Sequence, residues 1–414
     1  MSRQKILIIS NGPLCRNPRV YKEAVTLGHA GYDVTVLTVR NHAPSEAHDA
    51  VLLKDALFRR ITVDMLPGFS TPRIRVFSRR VGLWAARKLA RFSALRSIHS
   101  LGPATALLQE ARRQEAGLTI VHNEIAHWVG LRLMEDGRPV AADIEDWHSE
   151  DLLPADRERR PLTILRQVER TLLQRAVYTT TTSQALAAAL HTRYGGRQPV
   201  VLSNSFPLQP KIRAKEAGHI PAFFWFSQTL GPGRGLEPFL AAWMRMCQPS
   251  RLVLLGESAQ GFVQKLRASV PDTCQARLEL LDLVPTDELP DVIARHDIGL
   301  ALELADIPNR DLTITNKILQ YLNAGLAIIA TDTRGQREVL ACNPAAGILV
   351  SLDDPESLAR RLDEFIADRV SLVARQQAAR QLAVSHYCWE QEAPKLTTLV
   401  AGALAGTKPN QNQK

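Results

Sequence analysis

The sequence has few cysteines, and they form no recognisable pattern. Only five occur in 414 residues, without any Cys-x-x-Cys pair, at widely separated positions: Cys15, Cys247, Cys274, Cys342 and Cys388. An odd, scattered set argues against both a disulfide framework and a structural zinc site. We therefore expect a protein of a reducing compartment.

Long apolar runs are also missing. The chain passes from its first five residues directly into residues 6–9, an apolar segment too short for a signal peptide, and no later run reaches transmembrane length. Hydrophobic residues make up 45% of the chain and charged residues 22%, which are ordinary globular values. At 414 residues the chain suits two domains, and the expected location is the cytoplasm.

Acidic residues are absent from residues 72–96, where every charge is positive. Arginine and lysine alternate there with aliphatic and aromatic side chains, as in a basic amphipathic helix. The net charge of +9 also favours an anionic partner. One interpretation is contact with an anionic membrane surface, and the other is a solvated helix packed on its own domain. Nucleic acid is not expected, because no nucleic-acid-binding motif accompanies the patch.

A strand, a loop and a helix open the chain. Residues 5–10 and 33–39 read as strands on either side of a helix, which makes a βαβ unit of the type that binds ligands at its first loop. That loop lacks the GxGxxG dinucleotide fingerprint, since Gly12 stands alone. Arg16 and Arg19 instead suggest an anion held by side chains, although Arg19 could equally pair locally.

Two later strands of the first half end in acidic residues. Residues 118–122 lead to Glu124, and residues 139–144 lead to Glu145 and Asp146. Carboxylates at the carboxyl ends of parallel strands converge on a cleft, where they act as acids, bases or hydroxyl-binding groups. The alternative is surface charge that caps the next helix.

A segment rich in proline and charge, residues 206–221, predicts a linker between two domains. We expect a first domain over residues 1–205 and a second over residues 222–385. Residues 386–405 are expected to form a helix that crosses back to the first domain, and residues 406–414 a disordered tail.

The second half begins with a strand and a glycine-rich loop. Residues 228–235 read QTLGPGRG, in which Gly231, Gly233 and Gly235 allow backbone N–H groups to approach a phosphate. Arg234 supplies a positive charge in the same loop. The loop therefore predicts a phosphate-binding site.

Residues 313–338 combine a helix, a buried strand over 326–330 and a polar loop over 331–338. A threonine caps the start of the helix, and Gly325 is placed to end it in the left-handed conformation. Asn316 and Lys317 lie at the positive end of the helix dipole, so we expect an anion there. The alternative is an ordinary αβ unit with a solvated loop.

The order of these motifs resembles the GT-B glycosyltransferases and, within them, glycosyltransferase family 4. The resemblance spans residues 6–400 and is carried by NPRVYKEAVTLGHAGYDVTVLT, DIEDWHSED, TTSQALAAAL, QTLGPGRGLE and NKILQYLNAGLAIIATDTRGQREV. It implies an α/β fold of GT-B architecture, with two Rossmann-like domains whose parallel sheets face a central cleft. It also implies transfer of a sugar from a nucleoside-diphosphate sugar held by the second domain to an acceptor held by the first.

The resemblance implies roles for single residues. Arg234 and the glycine loop face the diphosphate, and Lys317 replaces a second basic residue that the family has in this loop. The family's pair of glutamates falls on Leu312 and Gln320, which leaves Gln320 for a ribose hydroxyl and Asp311 as a neighbouring carboxylate. The other implied donor-binding residues are Asn316, Gly335, Glu338 and, beside the base, Leu283 and Val284; the acceptor side holds Gly12, Arg16, Arg19 and Glu124.

The same resemblance bears on the mechanism, because Glu145 stands where the family has a catalytic-region histidine. Retaining members need no protein base, since the leaving phosphate takes the acceptor proton. An inverting enzyme would use Glu145 or Asp146 as base. Arg234 and Lys317 would stabilise the departing diphosphate instead of a metal, because no acidic pair stands beside the glycine loop. We expect retention, with no metal and no cofactor.

The expected function is a glycosyltransferase of cell-envelope polysaccharide biosynthesis, acting on a glycan or lipid-linked acceptor at the cytoplasmic face of the membrane. Three alternatives remain. A nucleotide-sugar epimerase of the same architecture would act without an acceptor, and a dinucleotide-dependent oxidoreductase is disfavoured by the missing fingerprint. A catalytically lapsed sugar-nucleotide-binding subunit is favoured by the missing glutamates.

Overall fold

The structure is a computed structural model that describes residues 3–210, 219–259 and 261–406. The chain forms two compact units. The first consists of the residues up to 182, of 186–202 and of those from 393 onwards, and the second consists of 183–185 and 203–392. Part of the predicted linker, 211–218, and the predicted tail beyond Gly406 lie outside the described residues.

A parallel sheet of seven strands forms the centre of the first unit. Its strands are β1 (Lys5–Ile9), β2 (Asp33–Arg40), β3 (Phe58–Asp64), β4 (Leu118–His122), β5 (Val140–Ile144), β6 (Thr179–Thr181) and β7 (Val200–Val201). They lie in the order β3-β2-β1-β4-β5-β6-β7. The middle strands are nearly continuous runs of buried residues, as expected where helices cover both faces of a parallel sheet.

The helices between these strands follow in chain order. They are α1 (Pro18–His29), α2 (Ser45–Leu53), α3 (Arg73–Leu89), α4 (Ala104–Arg113), α5 (Asn123–Glu135), α6 (Pro154–Arg157), α7 (Leu162–Arg175) and α8 (Gln184–Tyr194). The strand order reverses between β1 and β4, which is the position where open α/β sheets bind ligands.

The second unit repeats this plan on a parallel sheet of six strands. They are β8 (Ala222–Leu230), β9 (Arg251–Ser258), β10 (Leu278–Leu281), β11 (Ile298–Ala301), β12 (Ala327–Thr331) and β13 (Gly347–Val350). Their order is β10-β9-β8-β11-β12-β13, so the reversal lies between β8 and β11. The predicted α/β class, with two parallel sheets, is confirmed.

The helices of this second half complete the chain. They are α9 (Leu236–Trp243), α10 (Phe262–Ala268), α11 (Asp272–Gln275), α12 (Leu289–Ile293), α13 (Pro308–Leu312), α14 (Asn316–Ala324), α15 (Arg334–Cys342), α16 (Pro355–Ala367), α17 (Arg369–Ser385) and α18 (Trp389–Gly406). Residues of α18 from Ala393 onwards belong to the first unit. Within the described ranges, none of the helices is long and apolar enough to cross a membrane.

Two predicted loops are shorter than the sequence suggested. The strand β8 continues past Phe226 through an irregularity to Leu230, so the glycine loop begins only at Gly231. The predicted polar loop over 331–338 ends at Thr333, whose side chain accepts a hydrogen bond from the N–H of Gln336 and starts α15. An unrecognised N-cap explains this second error, because Thr is a favoured capping residue.

Residues 206–210 also differ from the prediction of a linker. Phe206 and Leu208 pack against the core of the second unit, and the N–H of Gln209 donates to Asn323 Oδ1 at 3.0 Å. These residues are therefore part of the second unit. Apolar side chains within the proline-rich stretch explain the difference, since they gain free energy by burial.

Candidate active site

In the first unit, the loops that follow β1 and β4 are joined by hydrogen bonds. The Asn11 N–H donates to Asn123 Oδ1 at 3.2 Å, and Asn123 Nδ2 donates to Ser10 Oγ at 3.1 Å. Asn123 has a φ of 60°, and among the described residues it is the only one besides glycines with a positive φ. Asparagine tolerates this left-handed conformation better than most residues. The two loops therefore form one polar edge at the reversal of strand order.

The predicted acceptor residues Gly12, Arg16 and Glu124 lie at or near this edge. Gly12 has a φ of 124°, so the backbone requires glycine although no atom lies within 4 Å of an added Cβ. Arg16 is exposed, with Nη2 3.1 Å from His42 Nε2. Arg160 Nη2 donates to Glu124 Oε1 at 3.1 Å. Burial would raise the pKa of Glu124, but His148 and Arg160 outweigh it and hold the pKa below its usual value.

Arg19 does not take the predicted role in anion binding. Its side chain is completely buried, and its Nε and Nη2 donate to the two oxygens of Asp143 at 2.5 and 2.7 Å. Its Nη1 donates to the carbonyl oxygen of Leu202 at 2.8 Å. The guanidinium therefore joins α1 to β5 and to the segment after β7. The second alternative for Arg19, an internal pair, is the one that the structure shows.

Arg19 belongs to a buried cluster of four charged side chains. His122 Nε2 lies 3.0 Å from Glu23 Oε2, and His122 Nδ1 lies 3.1 Å from Asp143 Oδ2. Burial lowers the pKa of His122, but the carboxylates of Glu23 and Asp143 outweigh it and raise the pKa to about 10. For Asp143, Arg19 and His122 outweigh burial and hold the pKa well below its usual range. Two cations thus balance two carboxylates.

Three members of this cluster, Glu23, His122 and Asp143, have the atom types of a metal site. One ligand atom from each lies within 4.8 Å of the others. However, a metal needs the neutral form of histidine, and the neighbouring carboxylates favour the charged form. Arg19 already compensates Asp143. The set therefore fits an internal charge network better than a metal ion.

The two predicted catalytic carboxylates, Glu145 and Asp146, follow β5 and are partly buried. Burial raises the pKa of Glu145, Arg19 opposes the increase, and Asp146 and Asp143 add to it, so that the pKa is about 7. His148, two residues further on, lies with Nδ1 3.5 Å from Glu124 Oε2. Its buried Nε2 has no hydrogen-bond partner among the described residues. A carboxyl that titrates near neutral pH suits acid or base catalysis.

Replacing Glu145 with Gln should change the pH dependence of stability. Folding raises the pKa of Glu145 from 4.5 to about 7. The protonated carboxyl therefore contributes its full stabilisation of the folded state below pH 4.5, and this contribution is lost as the pH rises through 7. At pH 8 we expect Glu145→Gln to be more stable than the wild type by up to about 3 kcal/mol, and at pH 5 by little. Hydrogen exchange of the amides of β4 and β5 at both pH values measures this difference. The control is Glu115→Gln at an exposed position, and an equal Glu145→Gln effect at both pH values would contradict the assignment.

In the second unit, the glycine loop follows β8 at the reversal of strand order. Gly233 and Gly235 have φ of 72° and 74°. A Cβ on Gly235 would lie 2.6 Å from the carbonyl oxygen of Leu302, just after β11. Arg310 Nη1 donates to the carbonyl oxygen of Gly233 at 3.3 Å. The loop is thus held against the end of β11. Gly231 has no positive φ and lies at the start of the turn, directly after β8.

A partly buried carboxylate, Glu303, follows β11 in this second site. Lys317 Nζ lies 2.5 Å from Glu303 Oε1 and 5.4 Å from the centre of the Trp225 ring. Burial would raise the pKa of Glu303, but Lys317 outweighs it, and Arg234 and Arg310 lower the pKa further. Lys317 therefore pairs directly with this carboxylate while Arg234 and Arg310 act on it electrostatically, which leaves a surplus of positive charge at the switch point.

The remaining donor-side predictions lie around this charge cluster or at the sheet edge. Asn316 is the exposed first residue of α14, which Thr315 caps by accepting a hydrogen bond from Ile318 N–H. Gln320 is half-buried one turn further along α14. Leu283 is exposed, whereas Val284 packs on the hydrophobic core. The roles of these four residues toward a donor stay predictions.

Three residues predicted on the donor side make contacts within the unit. Both oxygens of Glu338 accept hydrogen bonds from the N–H groups of Gln184 and Ala185, at 2.9 and 3.1 Å. Gly335 lies inside α15, where an added Cβ would lie 2.2 Å from the carbonyl oxygen of Thr313, so glycine serves close packing there. Asp311 accepts from Arg334 Nε at 2.6 Å, and its substitution for the missing glutamate stays a prediction. Gly335 and Glu338 were predicted from the polar loop that the structure replaces with a helix.

Comparisons with known proteins agree with this geometry. Residues 221–368 match the family described as Glycosyl transferases group 1. Among curated proteins, none has a matching sequence. The structure is similar to sucrose-phosphate synthase from Thermosynechococcus elongatus, with 17% identity, a TM-score of 0.69 and coverage of 98% of this chain and 100% of that one.

Two further solved structures bear on the alternatives. Alr3699/HepE from Anabaena, in complex with UDP and glucose, has 17% identity, a TM-score of 0.68 and coverage of 98% of this chain and 100% of that one. A UDP-N-acetylglucosamine 2-epimerase, described as putative, from Listeria monocytogenes has 10% identity, a TM-score of 0.60 and full coverage of both chains. The predicted GT-B fold is confirmed. The match to the glycosyl transferase family lies in residues 221–368, which belong to the second unit.

Proposed function

We propose that this chain, a glycosyltransferase of GT-B fold, transfers a sugar from a nucleoside-diphosphate sugar to a glycan or lipid-linked acceptor in cell-envelope polysaccharide biosynthesis. The observation that carries the proposal is the ion pair of Lys317 with Glu303, on whose carboxylate Arg234 and Arg310 also act electrostatically. Such a surplus of cations at a switch point suits a diphosphate. A nucleotide sugar is the substrate class that joins a diphosphate to a transferable sugar.

The proposed reaction breaks the bond between the anomeric carbon and the diphosphate oxygen, and joins that carbon to an acceptor hydroxyl oxygen. Arg234, Arg310 and Lys317 stabilise the negative charge on the departing diphosphate, with N–H groups at the start of α14 beside them. These cations supply the charge stabilisation that a metal supplies elsewhere. The departing phosphate takes the acceptor proton on the same face, which gives retention.

Glu145 supports inversion as a second candidate mechanism. Its carboxyl, at the carboxyl end of β5, has a pKa of about 7 and is half deprotonated at neutral pH. It therefore meets the requirement of a general base for an acceptor hydroxyl. The anomeric configuration of the product distinguishes the two mechanisms.

An epimerase is a competing function, because one of the similar solved structures is described as an epimerase. Only a transferase requires an acceptor.

Thermal denaturation with UDP, GDP, CMP, dTDP, ADP and NAD tests the donor class. A ligand that binds only the folded state stabilises it by about 2.7 kcal/mol at a hundredfold excess over Kd. We expect stabilisation by one nucleoside diphosphate, with UDP tested first because a structural relative binds it. A shift with NAD alone would contradict the proposal, and no shift with any ligand would favour a lapsed subunit. Product analysis with the matching sugar nucleotide, with and without acceptor, then separates transferase from epimerase.

Helix α3 supports a peripheral position on the cytoplasmic face of a membrane. Its buried residue is Val76, whereas Ile74, Phe77 and Trp84 are 79%, 68% and 62% exposed between its arginines. A helix packed only on its own domain would bury these side chains. Apolar side chains surrounded by cations suit insertion among anionic lipid headgroups.

A further inference from the structure

Two cavities of opposite character adjoin each other beside α3. One has a volume of about 430 Å³ and is mainly apolar, and the other has about 520 Å³ and is mainly polar. Both are lined by Arg79, Thr105 and Ala106, so they meet along a shared rim. Both volumes fall in the usual range of small-molecule sites. A ligand with an apolar part and a polar part would fill them together.

The apolar cavity lies between α3 and the segment that leads into α4. Small residues of α3, among them Gly82 and Ala86, form one wall, and Leu89 and Leu95 add apolar surface. The cavity extends to Gly102, where an added Cβ would lie 3.3 Å from Asn11 Oδ1. That oxygen is buried and has no hydrogen-bond partner among the described residues. The cavity therefore borders the loop after β1, at the edge proposed for the acceptor.

The polar cavity has an uneven charge. Arg75 and Arg79 line it from α3, one helical turn apart. The carboxylate of Glu110 on the opposite wall is already paired with Arg113 at 2.9 Å. From Met65 to Gln109 the sequence has no acidic residue at all. The guanidinium groups of α3 thus favour an anion in this cavity.

We propose that the two cavities together bind a lipid phosphate, with its hydrocarbon chain in the apolar cavity and its phosphate at Arg75 and Arg79. Charge complementarity selects the phosphate, and the apolar lining beside exposed membrane-facing side chains selects a lipid chain. This inference rests on the proposed function, because it identifies the acceptor as a lipid-linked glycan, whose sugar hydroxyl takes the transferred sugar while its lipid phosphate is held at α3, rather than a free glycan. It also gives α3 two roles: its outer face contacts the membrane and its inner face holds the lipid.

Photocrosslinking with hexadecyl phosphate that carries a diazirine in its chain tests the inference on the full chain. We expect crosslinks on residues that line the apolar cavity. Gly82→Leu places a side chain in open space within this wall and should abolish these crosslinks, whereas Gly402→Leu makes the same change at an exposed helical glycine elsewhere. Arg75→Gln should weaken binding about tenfold, as expected for one lost charge-assisted hydrogen bond, while Arg80→Gln on the same helix should not.

Several outcomes would overturn the inference. Crosslinks that persist in Gly82→Leu, or that lie only on the exposed residues of α3, would mean surface adsorption. Equal labelling by the corresponding diazirine-bearing hexadecanol, which has no phosphate, would show that the phosphate does not contribute to binding. Sedimentation with phosphatidylcholine vesicles, with and without phosphatidylglycerol, measures the membrane contact separately. If all variants sediment with anionic vesicles and none is crosslinked in the cavity, α3 contacts only the membrane.

Nucleotide stabilisation of the same preparations separates this inference from the proposed function. Normal stabilisation by a nucleoside diphosphate without cavity crosslinks means that the lipid inference alone fails. Cavity crosslinks without stabilisation by any nucleotide mean that the protein binds a lipid but that the proposed transfer reaction fails. Near-equal melting temperatures of Gly82→Leu and Gly402→Leu show that neither result comes from unfolding.

Discussion

Arg19→Met should destabilise the first unit by about 3–5 kcal/mol, which is the cost expected when a buried ion pair loses one partner. The guanidinium is completely buried and donates to both oxygens of Asp143. Methionine fills a similar volume but leaves Asp143 without its main counter-ion. Thr180 still donates to Asp143 at 2.6 Å, and His122 Nδ1 remains 3.1 Å from its carboxylate; these two contacts set the lower end of the expected cost.

Hydrogen exchange of the amides of β1, β4 and β5 is the suitable measurement, because a chain of two units does not unfold in one step. The opening free energy of these strands should fall by the stated amount in Arg19→Met and by less than about 0.5 kcal/mol in Arg16→Met, where the arginine is exposed. The double variant Arg19→Met/Asp143→Asn should cost less than the sum of its single changes, since it leaves no unpaired charge. Additive costs would show that the pair is not coupled.

Local patterns predicted much of the scaffold around this cluster. Thr315 caps α14 and Gly325 ends it with a φ of 69°, as the sequence indicated, because both signals lie within the helix itself. By contrast, the fate of Arg19 depends on Asp143, 124 residues further along the chain. Nothing near Arg19 in the sequence distinguishes an arginine that binds a ligand from one that closes an internal ion pair. Only the pairing of β1, β4 and β5 brings the two together.

The same distinction explains the errors on the donor side. Glu303 is a single acidic residue after a short apolar strand, and no spacing marks it in the sequence. Its importance follows from the position of β11 next to β8, which brings it to Lys317 and into the field of Arg234. Arg310 was missed for the same reason. Glu338 and Gly335, in turn, were assigned to a loop because the capping role of Thr333 was not recognised. The helices and strands were predictable from the sequence, whereas the tertiary contacts that determine the role of each residue were not.

Lys317→Met should lower kcat/KM for the nucleotide sugar by about a hundredfold to a thousandfold. The proposed role of Lys317 is to stabilise the charge that develops on the departing diphosphate, and removal of one such group from an active site has this cost. Lys265→Met, at an exposed position of the same unit, is the control and should retain activity. Steady-state kinetics with the nucleotide identified by thermal stabilisation provides the measurement.

A structural explanation predicts the same loss, because Lys317→Met leaves the largely desolvated carboxylate of Glu303 without its closest partner. The double variant Lys317→Met/Glu303→Gln separates the two explanations. It removes both charges, so the fold regains a neutral pair while the site still lacks one of its three cations. If Lys317 acts on the diphosphate, the double variant remains about a hundredfold or more below the wild type, and Lys317→Arg, which keeps the charge, recovers part of the rate. If Lys317 only compensates Glu303, the double variant should regain activity close to that of the wild type, and stabilisation of the donor would then fall to Arg234 and Arg310.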